Sequence, residues 1–300
     1  MSDESPPRLK VWAEQIRAPF LALSVLLVLV GTAAAFFDGV VHWPHAALCM
    51  LGTILAHAAV NLFNELSDHR TGIDAQTRRT PFSGGSGSLQ AGRTAPGAVL
   101  AAAVGTLLGA LAIGLYLAWV SGWELLIFVA CGGVAAVFYT SHLARWAVGE
   151  LAAGLCLGSF VVLGTYWVLT GGLTLPVIVL SIPPGLLTAQ LLFLNEFPDA
   201  EADKAGGRRH WVILFGKRRA AVLYTSLMVA TYGVIVGGAI SGLLPLWTLL
   251  GLLTLPLAAK ASITALRHHD DFEKMLPALG ANVQTVLATD LLLAVGLFVA

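Results

Sequence analysis

Long uncharged apolar runs alternate with short polar stretches along the chain. A helix needs about 20 apolar residues to cross a bilayer, and the pattern predicts nine such spans. The first covers residues 20–37. The second starts near residue 46 and runs into the polar segment NLFNELSDHRTGID, residues 61–74. The third and fourth lie at 97–120 and 124–141, and the fifth at 150–170, closed by Gly171-Gly172. The sixth starts near Pro176, contains Pro183-Pro184, and runs into a second polar segment, NEFPDAEAD, residues 195–203. The last three lie at 220–240, 245–265 and 280–299, with the charged turn RHHDDFEK before the ninth. The expected fold is all-α and polytopic: nine transmembrane helices in a bundle around a central cavity, capped by loops. Residues 1–18 form a polar tail and residues 19–300 a single membrane domain.

Composition agrees. The chain is 57% hydrophobic and 11% charged, with a mean hydropathy of +0.81, which excludes a soluble domain of this length. Zero net charge argues against a nucleic-acid partner. Cys49, Cys131 and Cys156 sit inside apolar runs without metal-ligand spacing and read as packing residues. The first apolar run lacks a small-residue cleavage site, so no cleavable leader is expected.

Charge placement adds orientation. All 17 Lys and Arg lie in the tail, in the loops after spans two, four, six and eight, or at the adjoining helix ends. The connections after the odd-numbered spans have none. Positively charged loops stay on the cytoplasmic side, so the N-terminus and both polar segments are expected there, and the alternation supports an odd count.

The two polar segments carry the chemistry. In the first, Asn64 and Asp68 are followed by Asp74; in the second, Asn195 and Asp199 are followed by Asp203. Residues four apart share a helix face, so each segment aims an amide and a carboxylate at one point. His57 and Asn61 extend the first stripe backwards into the membrane. Polar stripes on membrane helices face protein or a water-filled cavity. Clustered oxygen donors suit a hard cation, and Mg²⁺ typically bridges one or two carboxylates to substrate phosphates. Polar capping of two helix ends at a membrane surface is the plainer explanation. Two near-copies, four spans apart, favour a magnesium–diphosphate site, with each half of a parallel internal duplication giving one wall.

The flanking loops supply candidate phosphate contacts. RRTPFSGGSGSLQAGR follows the first segment directly. Its glycines could turn backbone N–H groups towards phosphate oxygens, and Arg78 and Arg79 could neutralise charge. Behind Asp203 come Lys204, Arg208 and Arg209; Lys204, adjacent to the aspartate, is the first choice. A flexible linker and topology-setting cations account for the same residues. Pro198, inside the second segment, either kinks the helix or marks its end. Tyr139, closing span four, is a candidate acceptor contact or an interfacial aromatic. Glu150 reads as a helix-start carboxylate. Asp290 lies deep in span nine with no partner that can be named.

These residues resemble the UbiA-type intramembrane prenyltransferases. NLFNELSDHRTGID is similar to that family's first motif and NEFPDAEADKAGGRR to its second, over nearly the whole chain. Within the family, FYTSHLARWAVGELAAG, VLGTYWVLTG and Arg78 after Asp74 resemble the 1,4-dihydroxy-2-naphthoate prenyltransferases. Glu65 replaces that group's usual Asp, and the loop PFSGGSGSLQAG departs from its usual wording. The resemblance implies an isoprenyl diphosphate donor, a small aromatic acceptor and Mg²⁺. Asn64, Asp68, Asp74, Asn195, Asp199 and Asp203 would hold the metal, with Asp68, Asp199, Asn64 and Asn195 catalytic. Arg78, Lys204 and Arg208 would bind diphosphate. It implies an integral protein of a bacterial or archaeal plasma membrane. The same ionisation could also serve a terpene cyclase or another acceptor. A cation-coupled transporter fits less well, because transporter sites lie near the bilayer centre.

Overall fold

In the computed structural model, residues 7–40, 42–73, 78, 80, 84–139 and 142–300 are described. Their regular structure is entirely helical. Nine apolar helices follow one another: α1 (Ala18–Phe37), α2 (Trp43–Thr71), α3 (Pro96–Ser121), α4 (Trp123–Phe138), α5 (Gly149–Thr170), α6 (Leu175–Ala205), α7 (Lys217–Ile240), α8 (Leu246–His268) and α9 (Phe272–Val299). All but α4, which is shorter, are long and apolar enough to cross a membrane. The protein is an integral, multi-pass membrane protein.

Three boundaries differ from expectation. The polar tail contains a helix, Arg8–Gln15. Trp12 and Ile16 pack on Leu62, Leu66 and Val99 at the ends of α2 and α3, and Gln15 Nε2 donates to Thr94 Oγ1 at 2.7 Å. The charged turn before α9 shrinks to residues 269–271, because α8 runs on to His268 and α9 starts at Phe272. There the Asp271 side chain accepts the Lys274 N–H at 3.2 Å, an N-cap that satisfies a donor left over at the helix start. Finally, α6 continues from Pro198 to Ala205. Pro198 therefore does not end the helix, and Asp199 and Asp203 ride on its last turns.

The core is built on α6, whose apolar window is the most deeply buried of the spans. On one side it meets α5, which opens into a π-helical stretch at Ala153–Ser159. Such widened turns are rare and tend to sit at functional positions. Here the stretch lets two backbones approach closely, with Ser159 Oγ donating to the Ser181 carbonyl at 2.9 Å. A Cβ on Gly158 would lie 2.6 Å from Gly185 Cα and 3.0 Å from the Pro184 carbonyl oxygen. Both obstacles are backbone and cannot swing away. Gly158→Ala is therefore expected to destabilise the protein by about 1–3 kcal/mol, the range for an overpacked core, read as a lower Tm in detergent. On its other side α6 is tied to α7 and α9 through satisfied polar groups. Tyr224 OH donates to Asn282 Oδ1 at 2.9 Å, and Asn282 Nδ2 to the Gln190 carbonyl at 3.0 Å. By contrast α3 and α4 show large side chains outward, including Leu108, Trp119 and Ile127, as lipid-facing helices do.

Candidate active site at the ends of α2 and α6

Two cavities meet where α2 and α6 end. The larger, of about 550 Å³, is enclosed by α2 to α6 and lined by apolar side chains such as Leu48, Ile113, Phe128, Phe160 and Leu191. The smaller, of about 110 Å³, is polar. Asn64 and Asp68 come to it from α2, and Asn195, Asp199 and Asp203 from α6. The four-residue spacing thus works as expected, turning both motifs to one space. Asp74 and Arg79 lie outside the described residues. Arg17, Asn64, Tyr139, Leu192 and Asn195 line both cavities and form the neck between them.

One cation joins the two motifs. Arg208 donates through Nη2 to Asp68 Oδ1 and through Nη1 to Asp203 Oδ1, the latter at 2.8 Å. Burial opposes its charge, but Asp68, and then Asp203, outweigh burial and hold the guanidinium above its ordinary pKa. Of the three proposed diphosphate contacts, only Arg208 lies in the polar cavity. Lys204 is exposed on the outer side of α6 and does not line it. Arg78 is exposed, ion-paired with Glu273, and lies 4.3 Å over the Phe272 ring at the start of α9. Exposed pairs of this kind contribute little energy. Arg78→Ala and Lys204→Ala are therefore each expected to change kcat/KM by less than about fivefold, whereas Arg17→Ala, at the neck, should lower it by more than about tenfold. Steady-state kinetics on the three variants checks the contrast.

Arg17 was not singled out by its sequence position. It stands just before α1 in the left-handed region, φ 51°, and that turn delivers the side chain to the neck. The segment is pinned by Asn61, whose Nδ2 donates to the Ile16 carbonyl at 2.8 Å. His57 lines the apolar cavity, with Nδ1 2.9 Å from Ser24 Oγ. Glu65 accepts the Ser86 backbone N–H at 3.1 Å and also bonds the Ser86 hydroxyl. That anchor holds the glycine-rich loop down, and Gly84 and Gly85 line the polar cavity. Their φ values of 91° and 65° are ones that glycine adopts without strain. Tyr139 is half-buried at the neck, and burial, then Glu196, pushes its phenol above its usual pKa.

Glu150 stands in the first turn of α5, as expected of a helix-start carboxylate, but it has further partners. It is fully buried and accepts the Trp211 N–H at 2.6 Å. Glu196 and His210, which motif spacing did not single out, line the polar cavity beside it. The hint in the sequence was slight: Glu196 follows Asn195 directly, and His210 follows Arg208-Arg209. Asp290 is buried and lines neither cavity.

A family model, the UbiA prenyltransferase family, matches residues 24–280. The 1,4-dihydroxy-2-naphthoate octaprenyltransferase of Bacillus subtilis (strain 168) is 28% identical over 282 residues, covering 93% of this chain and 89% of that protein. Among solved structures, the apo form of a UbiA homolog from Aeropyrum pernix K1 aligns with a TM-score of 0.72 at 18% identity, over 94% of this chain and 98% of that one. A UbiA homolog from Archaeoglobus fulgidus bound to GPP and Mg²⁺ aligns with a TM-score of 0.65 at 15% identity, over 97% and 100%.

Proposed function

The chain belongs to the UbiA prenyltransferase family, and from that premise we propose a Mg²⁺-dependent transfer of an isoprenyl group from its diphosphate to 1,4-dihydroxy-2-naphthoate, a step of quinone synthesis. One observation carries the reading: a polar cavity walled by two acidic helix ends opens, through a five-residue neck, into an apolar cavity five times its volume. A diphosphate with a prenyl tail has that same division. The acceptor is taken from the Bacillus subtilis relative's name.

The donor set suits Mg²⁺. Asn64, Asp68, Asn195, Asp199 and Asp203 offer only oxygen ligands once the amides turn their carbonyls inward, and Asn195 Oδ1 is buried without a partner. These residues would hold the ion, with Asp74 of the first motif a further candidate. Bound there, Mg²⁺ supplies charge neutralisation to the leaving diphosphate.

The chain's own groups do the rest. Arg17 and Arg208 add fixed positive charge at the polar cavity, and the backbone of Gly84 and Gly85 borders it. Charge developing on the diphosphate as the allylic C–O bond breaks is met by groups already in place. The apolar cavity holds the tail and keeps water from the cation. Tyr139 and Leu192 line both cavities, so they border the carbon where the bond breaks. An aromatic carbon of the acceptor attacks there, held close by the narrow neck; as the C–C bond forms the diphosphate departs, and loss of a proton or of the carboxylate as CO₂ restores the ring. The concentration of Lys and Arg at the motif end supports a cytoplasmic site, in a bacterial or archaeal plasma membrane.

The test is diphosphate release by purified protein in lipid, with geranylgeranyl diphosphate and Mg²⁺, with and without the naphthoate. Release that requires both Mg²⁺ and acceptor is the expected result. Release without acceptor would replace the proposal with a cyclase, and no release with donors of any length would overturn it.

A further inference from the structure

In the wall of the polar cavity, through Glu196 and His210, lies a second cluster that prenyl transfer does not use. Glu150 stands at the start of α5, Glu196 on α6, and His210 at the head of the short helix Trp211–Phe215. One ligand atom from each lies within 4.8 Å of the other two. All three residues are at least nine-tenths buried. Glu150 Oε2, Glu196 Oε2 and both ring nitrogens of His210 have no hydrogen-bond partner. Orphaned polar atoms in a protein interior are rare and costly; four in one place are a common fault with a common remedy.

We propose that Glu150, Glu196 and His210 bind a divalent transition-metal ion of the Zn²⁺ class, separate from the Mg²⁺ on the diphosphate. His210 Nδ1 is 3.6 Å from Glu196 Oε2. That is too long for a hydrogen bond. It matches the separation of two ligands around a tetrahedral ion, about 3.3–3.6 Å for bonds of 2.0–2.2 Å. One ligand is held from behind by a hydrogen bond, as outer-shell partners do at metal sites. Glu150 Oε1 accepts the Trp211 N–H at 2.6 Å, leaving Oε2 for the metal. His210 Nε2 faces Asp203 Oδ2 at 3.4 Å, leaving Nδ1.

A proton shared between Glu150 and Glu196 is the competing explanation. It would satisfy the two carboxylates and still leave both ring nitrogens of His210 without a hydrogen-bond partner; a metal satisfies all three. Mixed nitrogen and oxygen donors favour Zn²⁺ over Mg²⁺, which keeps its waters and prefers oxygen. The ion would staple α5, α6 and the segment after Arg208 together. Through His210 it would fix Asp203, so the three ligands act on the reaction as positioning residues.

The experiment needs no substrate. Full-length protein in lipid is given equimolar Zn²⁺, dialysed against excess Mg²⁺, and assayed for metal content, Tm and zinc X-ray absorption. The expected result is about one zinc per chain with one nitrogen and otherwise oxygen ligands, and a higher Tm than the chelator-treated protein. Asp68→Ala should keep the zinc, while Glu150→Gln and His210→Ala should lose at least nine-tenths of it. If those two variants fail to fold, the absorption spectrum and the Tm shift of the wild type decide. Wild type that retains no zinc and shows no Tm shift would overturn the proposal in favour of the shared proton. So would sulfur in the coordination shell, or retention of zinc by the folded variants.

Discussion

Asp199→Asn is expected to lower kcat/KM for the isoprenyl diphosphate by about 10²–10³-fold, the cost of removing one preorganised group from a charge-stabilising site. The substitution keeps the shape of the side chain and deletes its charge. Asp199 sits half-buried on α6, one turn after Asn195, in the wall of the polar cavity. Asp68 lines the same cavity from α2, so the proposed task of Asp199 is to share a divalent ion with the other motif. Two readouts separate this from damage to the fold. Tm should fall by no more than a few degrees, since Asp199 is not a core residue. The Mg²⁺ concentration for half-maximal rate should rise, because a neutral amide is the weaker ligand. An unchanged rate would remove Asp199 from the site.

Arg208→Ala should damage stability as well as catalysis. The guanidinium is the link between Asp68 and Asp203 and is largely buried. Removing one partner of a buried ion pair leaves uncompensated charge and costs about 3–5 kcal/mol. The expected observation is a large drop in Tm in detergent. Added Mg²⁺ should recover part of it, since a ligand that binds only the folded state stabilises by mass action. Arg208→Lys should do better than alanine and worse than wild type, because an ammonium cannot span two carboxylates with a fixed fork. If alanine leaves Tm unchanged, the bridge is an exposed contact of no consequence.

The bundle was readable because lipid forbids ambiguity. Charge is rare inside the spans, so the intervals between charged loops gave the helices. The motifs were readable for a related reason: Asn64 with Asp68 and Asn195 with Asp199 are local, and helical periodicity alone turns each pair to one face. What the sequence hid depends on chain path. Lys204 stands next to Asp203 and Arg208 five residues beyond it, yet only Arg208 turns inward, after the helix has ended at Ala205. Arg78 follows the first motif closely but is spent on Glu273, 195 residues away. Glu150, Glu196 and His210 come from three separate elements, and no spacing rule joins them. Arg17 depends on a single left-handed residue. Asp290, for which the sequence offered no partner, is buried apart from both cavities.

The neck also turns the molecule into a ruler. Cys49 and Asn64 both line the apolar cavity and stand 15 residues apart on α2 (64 − 49). At the rise of an α-helix this is about 22 Å, measured from the reacting end of the donor to the deep wall. A tail shorter than that leaves space unfilled. A longer one has to fold back or extend beyond the cavity. Either mismatch weakens the grip on the tail while leaving the breaking bond where it was. Donor length is thus expected to be registered in KM, with kcat nearly flat across the series.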